Sequence, residues 1–144
     1  MIGILVVTHG KLGRELINAV EMIVGSQKQM ASVEIQHQDD MPTSAENIEK
    51  AFQKVSRKDG VIIFTDLLGG TPSNVSLTML NRPRVEVMSG VNLPMLLKAV
   101  DCRPSRSWKE VVEASRKSGK DGITAATFIL GSANQDNESG TDKS

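Results

Sequence analysis

The stretch Ile2-Gly3-Ile4-Leu5-Val6-Val7-Thr8-His9-Gly10 decides the fold of this chain. Its first six residues are apolar or glycine without alternation, the pattern of a strand covered on both faces, and a polar pair followed by glycine ends it. Val61-Ile62-Ile63-Phe64 repeats the pattern and breaks at Thr65-Asp66. Strands of this kind belong in the middle of a parallel sheet. Val33-Glu34-Ile35-Gln36 and Val85-Glu86-Val87 alternate with polar residues, which suits positions nearer the sheet edges. The predicted strands are Ile2 to Val7, Ser32 to Gln36, Val61 to Thr65 and Val85 to Met88, in the spatial order 2-1-3-4.

Helix-period segments at about Leu12 to Val24, Ser44 to Arg57 and Pro72 to Leu80 separate these strands, giving the βαβα alternation of an open α/β domain with helices on both faces. Start signals accompany later segments. Thr43 with Glu46 and Ser107 with Glu110 have capping-box spacing. Thr71-Pro72 reads as a cap followed by a proline at the first helical position, and Asn92-Leu93-Pro94 reads the same way for a helix running to about Val100. Ile123 to Ile129 is a late strand candidate. From Ser132 onward the residues are polar or glycine apart from one alanine, too little apolar surface to offset the entropy of ordering. The expected organisation is one domain over 1–131 and a disordered tail over 132–144.

The 144 residues carry 17 Lys+Arg against 17 Asp+Glu, so no global field draws the chain to nucleic acid or to an anionic membrane. No apolar run approaches the roughly 20 residues of a membrane-spanning helix. Met1 leads directly into the first strand without a basic lead or cleavage site, and the single Cys102 has no disulfide partner, so a reducing, cytoplasmic location is expected. Cys102 itself reads as a small buried hydrophobe.

Parallel strands direct their carboxyl ends to one side, and in the order 2-1-3-4 the crevice opens between strands 1 and 3. His9 stands at the end of the first and Asp66 at the end of the second, on neighbouring strands roughly 5 Å apart. A carboxylate bonded to one imidazole nitrogen fixes the tautomer and leaves the other nitrogen free to attack phosphorus. Leu67-Leu68-Gly69-Gly70-Thr71-Pro72 then turns into a helix, and its paired glycines allow close approach of an anion to free backbone N–H groups. Thr71 and Ser73 are the expected hydroxyl donors, and Gly10 keeps the opposite wall low. His37 lies in a polar stretch and reads as solvated; Asp39-Asp40 lacks a His or Cys cluster and reads as a solvated loop, with no metal site.

Three blocks, Gly3 to Gly10, Phe64 to Asn74 and Ser89 to Leu96, resemble in order the mannose-family enzyme IIA of the bacterial phosphotransferase system, and the likeness extends over roughly Met1 to Leu130. The resemblance implies that His9 accepts the phosphoryl group, that Asp66 orients it and that Thr71 lies at the phosphate-binding helix. It also implies the phosphocarrier protein HPr as donor, a separate IIB protein as acceptor, a membrane permease contacted only indirectly, and neither metal nor organic cofactor. A homodimer that exchanges an antiparallel carboxyl-terminal strand is implied as well, with Ile123 to Ile129 the matching segment. Two other readings compete with it: a regulatory phosphoprotein with the same His9 chemistry and no sugar acceptor, and a non-catalytic anion- or nucleotide-binding module. The second leaves His9 without a role, and the loop lacks the GxxxxGK[ST] spacing of a nucleotide-hydrolysing site.

Overall fold

In the computed structural model, which describes residues 1–67 and 69–131, β1 (Gly3–His9), β2 (Met30–Ile35), β3 (Val61–Thr65) and β4 (Val85–Met88) form one parallel sheet in the order β2-β1-β3-β4. The apolar runs are central as expected: Leu5 lies between Ala31 of β2 and Ile63 of β3. Every residue of β3 is buried, and of β1 only His9 is exposed.

Because strand side chains alternate between faces, each central strand supplies two cores. Ile4, Val6, Ile62 and Phe64 face α1 (Leu12–Val24), α4 (Leu93–Cys102) and α5 (Trp108–Asp121), meeting Val20, Leu96, Val100 and Val111. Leu5, Val7, Val61 and Ile63 face α2 (Met41–Val55) and α3 (Thr71–Leu77), meeting Ile48, Phe52, Val55 and Val75. The result is three layers with the sheet in the middle. No helix among the described residues is long and apolar enough to cross a membrane.

Local chemistry sets the helix starts, in two cases differently from expectation. The Ser107 capping box forms, and Asn92 Oδ1 accepts from the Met95 N–H at 3.0 Å. At α2 the cap is Asp40, whose Oδ1 accepts from the Thr43 N–H at 2.8 Å, so the helix begins three residues before Ser44 and Thr43 lies inside it. Asp39 accepts from the Gln36 N–H at 2.9 Å, so this acidic pair serves a turn and a cap. At α3 the N-cap is Gly70 and Thr71 is already helical. The third helix also tightens into a 3₁₀ turn over Thr78–Asn81 instead of continuing to Leu80 as one α-helix.

The expected strand at Ile123 to Ile129 is not extended in the single chain. Residues 126–131 are helical, and Ile123, Phe128, Ile129 and Leu130 are all largely exposed. A strand needs a partner, and this segment pairs with none of the four described strands, so local helical hydrogen bonds satisfy its backbone instead. The 132–144 tail lies outside the described residues.

Gly3 is the tightest point of the sheet. A Cβ there would collide with the carbonyl group of Val55 at the end of α2. Gly3→Ala must push α2 off the sheet, and a loss of about 2–3 kcal/mol is expected from such overpacking. For a domain of this size that lowers the melting temperature by about 5–10 °C. A thermal melt unchanged from the parent would refute this account of the packing.

Candidate functional site

The carboxyl ends of β1 and β3 bring together two residues 57 positions apart in sequence. His9 Nδ1 lies 2.9 Å from Asp66 Oδ2, and the same oxygen accepts the His9 backbone N–H at 3.0 Å. The other carboxylate oxygen accepts the Leu67 N–H at 3.0 Å. Asp66 is thus fixed on both oxygens. Its side chain is 13% exposed and that of His9 51%, so the carboxylate is sheltered while the ring faces outward. Burial works to raise the Asp66 carboxyl, but the hydrogen bonds from the His9 ring and backbone, with the His9 charge, outweigh it and hold the group below the usual carboxylate value. An ionised Asp66 requires a proton on Nδ1 for its 2.9 Å contact, so the lone pair of neutral His9 resides on Nε2.

That free nitrogen faces the start of α3. A Cβ added to Gly70 would stand 3.0 Å from His9 Cε1 and 3.5 Å from Nε2, so glycine leaves Nε2 uncovered on this side. Gly69 adopts φ +90°, a conformation that favours glycine, and turns the chain from β3 toward the helix. Gly70 caps α3 without a side chain, and Pro72 has no N–H, so the backbone N–H groups of Thr71 and Ser73 form the open end of the helix. Asn74 ties the loop closed, donating to the Gly69 carbonyl through Nδ2 at 3.2 Å and to the Gly70 carbonyl through its backbone N–H at 2.8 Å. Gly10, at φ +55°, turns the chain away beyond His9 with open space where a side chain would stand.

Of the residues expected here, His9, Asp66, Gly69, Gly70 and Gly10 form the rim, and Thr71 is half-buried beside it. Ser73 differs. The whole residue is buried and its Oγ has no hydrogen-bond partner, so the hydroxyl points into the fold and is not a donor at the crevice. Thr8 was missed by the sequence reading: its Oγ1 accepts the Gly13 N–H at 2.7 Å and ties the turn after His9 to α1. Its position two residues before Gly10, at the end of a buried strand, is the signal that marks it. His37 is exposed in the turn after β2, as expected.

Residues 3–116 match the family model EIIA-man, described as the PTS system fructose IIA component. The chain is 29% identical over 126 residues to the PTS system mannose-specific EIIAB component of Escherichia coli K12, a match covering 86% of this chain and 39% of that protein. This chain therefore spans well under half the length of that relative. It is 26% identical over 113 residues to the PTS system fructose-specific EIIA component of Bacillus subtilis, covering 78% of this chain and 77% of the relative. The crystal structure of phosphotransferase system component EIIA from Streptococcus agalactiae superimposes with a TM-score of 0.79 at 27% identity, covering 89% of this chain and 99% of that one.

Proposed function

Because this chain belongs to the EIIA-man family of phosphotransferase-system IIA components, we propose that it accepts a phosphoryl group on Nε2 of His9 from phospho-HPr and hands it to a separate IIB component in sugar uptake. The observation that carries this reading is the Asp66 carboxylate on Nδ1 at 2.9 Å with Nε2 open toward Gly70. In the first transfer the P–N bond to the donor's histidine breaks as the Nε2–P bond forms. Nε2 carries no proton in this tautomer, so none has to leave. The ring then carries positive charge between Nδ1–H and the phosphoryl group, which the Asp66 carboxylate stabilises. In the second transfer the acceptor on IIB attacks phosphorus in line with the Nε2–P bond, and His9 leaves as neutral imidazole.

Such transfer asks a protein for position and electrostatics more than for covalent chemistry. The crevice is suited to both. The start of α3 lies beside the His9 ring, and half-buried Thr71 supplies a backbone N–H and a hydroxyl for the phosphoryl oxygens. No metal or organic cofactor enters the scheme, and the chemistry belongs to the cytoplasm, where phosphoenolpyruvate and its phosphocarriers meet. Incubation with phosphoenolpyruvate, enzyme I and HPr, followed by intact mass before and after acid, tests the reading: one acid-labile phosphoryl group is expected. A protein that gains no mass under conditions that phosphorylate a second IIA would overturn it.

The reading includes a homodimer in which the carboxyl-terminal segment crosses to the partner as an antiparallel strand. Two observations support it: β4 is an open edge of the sheet, and Phe128, Ile129 and Leu130 are exposed in the single chain. Pairing the two would remove an unpaired edge and an apolar surface together. Light scattering at micromolar concentration should give a dimer for a chain ending at Gly131 and lose it when the chain ends at Gly119. A full-length protein that scatters as a monomer would rule the exchange out.

A further inference from the structure

At the opposite end of the sheet from His9, where the strands begin, lies a cavity of about 930 Å³ lined by Arg84, Arg103, Arg106, Lys109, Trp108 and Asp59 among others. Four of these are cations and one is a carboxylate, in a chain whose charges balance overall at 17 against 17. Asp59 is already occupied: it pairs with the Met1 ammonium at 2.7 Å, and that hydrogen bond holds its carboxyl below the usual value. This one carboxylate also feels the Arg84 charge, but it is outnumbered, and the cavity keeps a net positive charge.

Its walls are built rather than loose. Arg103 is 4% exposed and spends its guanidinium on the carbonyls of Ile2, Lys28 and Gln29 and on Gln27 Oε1, so it supplies field and not free donors. Gly60, at φ +104°, sits so tightly between Arg84 and Trp108 that an added Cβ would stand 2.7 Å from the Arg84 carbonyl oxygen and 2.7 Å from Trp108 Cδ1. Trp108 Nε1 donates to the Val61 carbonyl at 3.2 Å, which fixes the indole, and the half-buried residue both packs on the core and lines the cavity. Arg84 is held in the left-handed region at φ +53° and donates to the Lys58 carbonyl at 2.7 Å. Arg106 and Lys109 are exposed and make no ion pair among the described residues. The Arg106 charge reaches Glu110 without forming an ion pair with it, so both heads keep their donors.

We propose that this cavity is a second anion site, separate from His9, that takes a phosphomonoester of sugar size: Arg106 and Lys109 hold the phosphate and the Trp108 ring surface covers the carbon skeleton. The volume suits a small molecule, guanidinium and ammonium groups are the protein's phosphate binders, and a fixed aromatic wall gives an apolar face for a ring. The site is roughly 20 Å from His9, the length of β1. It does not depend on the phosphocarrier reading, because it uses neither His9 nor Asp66.

Trp108 makes the test direct, since it is the only tryptophan and the chain has no tyrosine. Glucose 6-phosphate titrated into the full chain at constant ionic strength should change tryptophan emission saturably, inorganic phosphate should compete, and glucose should do nothing. The response should persist in His9→Ala, which separates it from anion binding at the crevice. Arg106→Gln and Lys109→Gln should each weaken binding about tenfold, the loss of one charge-assisted hydrogen bond, with an unchanged thermal melt and unchanged phosphoryl transfer from phospho-HPr. No saturable change at millimolar ligand, an equal change with sodium chloride, undiminished binding in the double variant, or capture only by anionic lipid vesicles would each overturn the proposal.

Discussion

His9→Ala is expected to abolish phosphorylation outright, with no mass shift after prolonged incubation with phosphoenolpyruvate, enzyme I and HPr. The expectation rests on there being one ring in this crevice whose Nδ1 is held by a carboxylate and whose other nitrogen faces the open helix start. Asp66 and Thr71 remain in the variant, but a carboxylate held by two backbone N–H donors and a half-buried hydroxyl have no activated nucleophile to offer. His37→Ala is the matched control. His37 sits at the same end of the sheet, but in an exposed turn whose acidic neighbour Asp39 is occupied by the Gln36 N–H. That variant should phosphorylate like the parent. Acid-labile phosphate retained on His9→Ala would move the acceptor elsewhere and end the assignment. The fold should survive, because the His9 ring is half exposed and its loss opens no core cavity.

Asp66→Asn is expected to slow transfer about ten- to ten-thousand-fold in both directions while the domain stays folded. The amide keeps the size of the carboxylate and can still turn an oxygen to Nδ1, but it loses the negative charge that stabilises the ring once phosphorus is attached. It can also present its NH₂ to Nδ1, which selects the tautomer with the proton on Nε2 and blocks attack. Nitrogen NMR of the His9 ring separates this positioning role from a structural one, because only the former predicts a changed tautomer ratio. Transfer rates equal to the parent's in both directions would dismiss the role. The pH dependence has a definite sign. Asp66 has a folded-state carboxyl below its unfolded value, so its contribution to stability is complete above the ordinary carboxylate range and is lost as pH falls through the lowered folded value. The stability gap between parent and Asp66→Asn should therefore be constant near neutrality and close in acid, as read by urea denaturation at a series of pH values.

The strand order was legible because burial on two faces and burial on one leave different patterns in a few consecutive residues. Ile2 to Val7 and Val61 to Phe64 had to be central, Val33 to Gln36 and Val85 to Val87 could lie outside, and the sheet order β2-β1-β3-β4 agrees. The same local information placed His9 and Asp66 at neighbouring strand ends, because a register follows from where each buried run stops. Cap identities were harder. Asp40 and Thr43 both offer capping chemistry around the start of α2, and the chain path out of β2 chooses Asp40. At α3 the chain enters the helix one residue earlier than Thr71-Pro72 suggests, because Gly69 at φ +90° completes the turn.

What the sequence by itself determined is the α/β class, the strand order, the places of His9 and Asp66 at neighbouring strand ends and the glycine turn that follows Asp66, since all depend on periodicity and on residues that terminate it. Tertiary structure decided the rest. Which imidazole nitrogen is free depends on a contact across 57 residues. That Ser73 is buried with its hydroxyl facing inward depends on the rotation of α3 against the sheet. The cationic cavity gathers Asp59, Arg84 and the Arg103 to Lys109 turn from three separated segments. Periodicity reports which face of its own element a residue occupies; what stands opposite that face is set by long-range packing, which no local pattern records.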